Sequence, residues 1–196
     1  MKAIFLDVDG VLTNSGYRNP ETKNIDPEKI ELINEIVKQT EAVIVLTSTW
    51  KDGYNKDTGE KDDYYKVLEH LMLEHGLQIY DITDKIPAQT RESMYVSISL
   101  NDLEFVHCVH GTGRGAEVDK WINDHHPDSY VILDDEDHGW KEYGYEDAWV
   151  QTSWYDPNGG LGKKDVKKAI VILNQNENQK NSANGINSET EDNRCR

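Results

Sequence analysis

One pattern restricts the fold of this chain more than any other: short, largely β-branched apolar runs alternate with stretches whose apolar residues recur at helical spacing. Ala3 to Val8 (AIFLDV) reads as a buried strand entering a turn at Asp9-Gly10. Asp26-Pro27 then opens a helix, with Asp as N-cap and Pro at the first helical position, and Ile30, Ile33, Ile36 and Val37 mark its buried face. Ala42 to Thr47 (AVIVLT) is a second strand, and Lys51 to Asp63 a polar loop. A helix follows from about Asp62 to His75, with Val67, Leu68, Leu71 and Met72 on one side and Gly76 closing it. Leu77 to Thr83, Tyr130 to Leu133 and Ala148 to Thr152 read as three more strands, and Arg114 to Asn123 and Lys163 to Leu173 as two more helices. Residues 87–110 break the rhythm, since MYVSISL and FVHCVH both have strand character, and predict a small β insertion. Strand and helix in regular alternation specify an α/β domain with a mainly parallel, five-stranded sheet.

Composition narrows the class. The 196 residues suit one domain, here residues 1–173. From Asn174 the chain turns to Asn, Gln, Ser and Glu, which predicts a disordered polar tail over 174–196. No apolar run is long enough to cross a bilayer, and MKAIFLDVDG lacks a signal-peptide core, so the expected location is the cytoplasm, away from membranes. Cys108 and Cys195 allow at most one disulfide, which excludes a disulfide framework. The net charge of −16 opposes extended nucleic-acid binding, which depends on cationic neutralisation of phosphates. The tail holds four acids against three bases, so nearly all of this charge belongs to the body.

In open α/β sheets ligands bind beyond the carboxyl ends of the strands. Asp7 and Asp9 follow the first strand, Thr47 and Ser48 the second, and Asp134 and Asp135 the fourth. Carboxylates gathered at one point repel one another unless a cation joins them, and hard oxygen donors suit Mg²⁺. An EF-hand loop is a poor alternative, because Gly10 is fourth from Asp7 rather than sixth. His107, Cys108 and His110 read as alternating strand residues ahead of a zinc site, and no GxxxxGK[ST] phosphate loop is present.

Asp7-Val8-Asp9-Gly10-Val11-Leu12-Thr13 resembles the first motif of the haloacid dehalogenase-like (HAD) superfamily, most of whose members are phosphatases. Thr47, or Ser48 beside it, resembles the hydroxyl of the second motif, Arg114 the cation of the third, where Lys is commoner, and VILDDED (131–137) the acidic fourth. RGAEVDKWI, YVILDD and the Thr-Ser-Thr-Trp after the second strand resemble the HAD domains of RNA-repair proteins and of polynucleotide kinase-phosphatase. The resemblance covers about residues 1 to 173 and implies a three-layer Rossmann-like fold. Only a short loop separates Thr13 from the Asp26 helix start, so a minimal cap and an open site are expected.

That resemblance implies roles. Asp7 is the nucleophile, forming an aspartyl-phosphate, and Asp9 the general acid and base. Thr47 bonds a phosphoryl oxygen, with Ser48 and Gly10 as further substrate-binding positions, while Arg114 balances charge. Asp7, Asp134, Asp135 and the backbone carbonyl of Asp9 hold Mg²⁺. Glu136 and Asp137 read as loop acids. Trp50 and Trp140 either stack on a substrate base or seal the core edge. The expected activity is phosphomonoester hydrolysis on a phosphorylated substrate, a nucleotide or a nucleic-acid end. The alternatives are a sugar-phosphate phosphatase, a phosphotransferase, or a non-catalytic binding module of the same fold.

Overall fold

A computed structural model describes residues 1–86 and 113–188. Five strands, β1 (Lys2–Leu6), β2 (Val43–Leu46), β3 (Ile79–Ile82), β4 (Ser129–Asp134) and β5 (Trp149–Gln151), form one wholly parallel sheet in the order β3-β2-β1-β4-β5. Among the described residues four helices accompany it: α1 (Pro27–Thr40), α2 (Asp63–Glu74), α3 (Arg114–His125) and α4 (Lys163–Ser188). The five strands and four helices expected outside residues 87–110 are present. Asp26 caps α1 by accepting from Glu28 N, and Gly76 leaves α2 at φ +73°.

Strand alternation divides the core in two. Ile4, Leu6, Ile44, Leu46, Val131 and Leu133 face one side with the buried residues of α1, α2 and α4. Ala3, Phe5, Val45 and Ile132 face the other, against Val118 and Trp121 of α3. The chain runs outward from β1 to β3, then returns through α3 to place β4 on the opposite flank of β1. The resulting reversal of strand order between β1 and β4 is where this architecture opens a ligand crevice.

Among the described residues, the stretch from Thr13 to Asp26 contains only a short 3-10 turn at Pro20–Thr22, so no helical cap stands there. The proposed β insertion and His107, Cys108 and His110 lie outside the described residues. One expectation is corrected: the closing helix does not stop at Leu173 but continues through Asn174 to Ser188. The segment after Leu173 is polar but free of proline, so nothing in it breaks the backbone ladder, and Lys2 Nζ donates to Asn174 Oδ1 at 2.7 Å. No described helix is long and apolar enough to cross a membrane.

Candidate active site

The ends of β1 and β4 are joined by more than side chains. Asp7 N donates to Leu133 O at 3.0 Å, extending the ladder by one residue. The carbonyl of Val8 then accepts from Val11, Leu12 and Thr13, which folds the chain into a tight loop. Gly10 takes φ +79° in this loop, and a Cβ there would lie 2.2 Å from Asp135 Cγ. Glycine is required twice over, for the left-handed backbone and for the space Asp135 occupies.

Asp7 is 2% exposed and Asp134 fully buried. Arg114, at the first position of α3, reaches between them, with Nη1 3.0 Å from Asp7 Oδ1 and 2.6 Å from Asp134 Oδ2. Only the Asp134 contact is a hydrogen bond, and Asp7 Oδ1 has none. Burial, then repulsion from Asp134, raises the Asp7 pKa from 3.8 to about 7, against the opposing pull of Arg114 and the hydroxyl of Ser48. Asp135 is pushed up by the same causes, burial first. One oxygen from each of Asp7, Asp134 and Asp135 lies within 4.8 Å of the others. Hard oxygens, an orphaned buried carboxylate atom and raised pKa values together fit a divalent cation.

Asp9 is held differently. Its side chain is exposed, and its two oxygens accept from Trp50 Nε1 at 3.0 Å and Thr13 Oγ1 at 3.3 Å. Asp7, Asp9, Arg114, Asp135, Glu136, Trp154 and Tyr155 line one cleft of about 380 Å³. The two hydroxyls after β2 part company. The Ser48 hydroxyl acts to lower the Asp7 pKa and accepts from Trp50 N, whereas the Thr47 hydroxyl is buried without a partner.

The tryptophans do not form open platforms. Trp140 is fully buried in the α3-side core, its indole N–H on Glu136 O, so it seals the interior and stacks on no substrate. Trp50 packs edge-on to Tyr64 and uses its N–H to fix Asp9. Asp137 acts as a loop acid, accepting from Gly139 N and Trp140 N. Glu136 is exposed at the cleft wall, and its backbone N–H donates to Asp134 Oδ1.

Three features escaped the sequence reading. Trp154 and Tyr155 follow β5, so the strand-end rule that found the other residues also points to them. His138, four residues after Asp134, brings Nε2 to 3.7 Å from Asp134 Oδ2, and burial lowers its pKa. Lys51 and Glu117 form a buried ion pair at 2.8 Å that ties the turn after β2 to α3, the helix carrying Arg114. Nothing in the local sequence pairs these two distant residues.

Comparison with known proteins agrees with this geometry. No curated protein and no solved structure matches the chain. A family model described as the HAD domain in Swiss Army Knife RNA repair proteins matches residues 3–166, a span that includes every residue of the cleft. The chain therefore belongs to this family of HAD domains.

Proposed function

We propose that the chain is a Mg²⁺-dependent phosphomonoester hydrolase that works through an aspartyl-phosphate on Asp7. The observation that carries this reading is the sharing of one cleft by a buried carboxylate, Asp7, an exposed one, Asp9, and a guanidinium. The Asp7 carboxylate attacks phosphorus, the bond from phosphorus to the ester oxygen breaks, and Asp9 gives that oxygen its proton. Asp9 then takes a proton from water, whose oxygen attacks phosphorus and releases phosphate and the Asp7 carboxylate. Trp50 and Thr13 hold Asp9 in one orientation for both transfers. Arg114 offsets charge on the phosphoryl group, and the unpartnered Thr47 hydroxyl is the donor left for a phosphoryl oxygen. Asp7, Asp134 and Asp135 would hold Mg²⁺, which offsets their repulsion and polarises the phosphoryl group.

The family description favours a terminal phosphate on RNA as substrate, and the net charge of −16 favours contact with the terminus over contact along the strand. A panel of phosphate esters that includes 3′- and 5′-phosphorylated oligonucleotides, assayed with Mg²⁺ and with chelator, tests the reading. Phosphate release that needs Mg²⁺, with a phosphate adduct on Asp7 in the quenched enzyme, is the expected result. Full activity in chelator, or an adduct on another residue, overturns it.

A further inference from the structure

The cleft holds far more space than one phosphoryl group fills, and Arg114 is the sole Lys or Arg among its lining residues. Whatever is esterified to the phosphate therefore meets carboxylates and two aromatic residues, Trp154 and Tyr155. Tyr155 is 87% exposed, although a phenol ring gains by being covered. The backbone beneath both rings is tied to the loop that carries Asp9. Thr152 Oγ1 donates to Gly10 O at 2.6 Å, Ser15 N to Trp154 O at 2.9 Å, Ser15 Oγ to Tyr155 O at 3.1 Å, and Leu161 N to Val11 O at 2.8 Å. Gly16 passes so close to Pro157 that a Cβ on it would lie 2.2 Å from the Pro157 carbonyl oxygen. The backbone that carries these rings is thus fixed relative to the acids before any ligand arrives, which lowers the ordering cost of binding.

We propose that Trp154 and Tyr155 form a stacking platform for the nucleobase next to the terminal phosphate, so that the site selects nucleotide-like esters over phosphate esters without a planar ring. The proposal rests on the hydrolase reading for its phosphate subsite. Stacking suits this protein because every base has a π-face and the contact needs no cation, and the cleft lining offers none beyond Arg114.

The test compares wild type with Tyr155→Ala, Trp154→Ala and Tyr155→Phe, and with Tyr80→Ala on β3 as a remote exposed tyrosine. Substrates are a 3′-phosphorylated dinucleotide and its abasic counterpart. The alanine variants should lose roughly ten- to a hundredfold in kcat/KM on the dinucleotide and change less than about twofold on the abasic ester. Tyr155→Phe and Tyr80→Ala should resemble wild type on both. Equal losses on the two substrates, or no loss on either, overturn the platform. Calorimetric binding of the unreacted dinucleotide to Asp7→Asn protein, with and without Tyr155→Ala, separates the two readings. Weaker binding in the double variant upholds the platform even if no ester is turned over, in which case the hydrolase reading alone fails. Equal binding, or none to Asp7→Asn, overturns the platform.

Discussion

Replacing Asp7 with Asn should make the metal-free protein more stable. Asp7 is 2% exposed, and burial with Asp134 repulsion lifts its pKa from 3.8 to about 7 despite Arg114 at 3.0 Å. A carboxyl that holds its proton more tightly in the folded chain than in the unfolded one contributes stability that is complete below pH 3.8 and is lost as pH rises to about 7. Roughly three units at about 1.36 kcal/mol each give about 4 kcal/mol as the ceiling on what removing the charge restores at pH 8. The Asn amide places N–H groups where the carboxyl only accepted, so about 2 kcal/mol is the expected gain, or roughly 4–8 °C in Tm for a chain of this size. Thermal unfolding in chelator measures it. The gap between variant and wild type should be widest at pH 8 and shrink steadily as pH falls toward 4, and Mg²⁺ should narrow it by stabilising wild type more. A variant that melts below wild type at pH 8, or a gap indifferent to pH, would refute the argument that Asp7 carries an unfavourable charge.

Lys51→Met leaves Glu117 buried without its partner and should cost about 3–5 kcal/mol in denaturant unfolding, while Lys51→Met with Glu117→Leu should recover most of it. A single variant as stable as wild type would show that water reaches the pair. Trp50→Phe keeps the ring against Tyr64 but removes the bond to Asp9, so kcat should fall about tenfold with KM nearly unchanged in steady-state assays. A change confined to KM would place Trp50 on the substrate instead. Gly10→Ala forces a Cβ into the Asp135 carboxylate at φ +79°, so Mg²⁺ affinity measured by calorimetry should drop more than about tenfold. Unaltered affinity would remove Asp135 from the metal set.

The architecture was legible because each strand sits in a β-branched run and each helix carries an apolar stripe. Asp7, Asp9, Asp134 and Asp135 were legible because they directly follow such runs. The direction a ring faces is not written in its neighbours. Trp50 and Trp140 stand close after acidic or hydroxyl motifs, yet the connection from β4 to β5 folds Trp140 into the core under α3, and Trp50 turns its N–H to Asp9. Trp154 and Tyr155 carry neither a carboxylate nor an aliphatic hydroxyl, so a search of strand ends for such groups passes over them. The Lys51–Glu117 pair joins elements that meet only when the sheet is complete. The backbone of α4 runs past Leu173 through a polar segment that holds no proline to interrupt its ladder.

The pairing of β1 with β4, which sets Leu6 beside Leu133, also bears on how the molecule reaches its native state. Strands β1, β2 and β3 can associate through near-neighbour crossovers, but the other edge of β1 must wait for a partner far along the chain. Until β4 docks, that edge offers unpaired N–H and C=O groups flanked by Ala3, Ile4, Phe5 and Leu6, a template for strand addition between chains. Asp7 and Asp134 are brought together by this pairing, so recovered activity should report completion of the sheet during refolding.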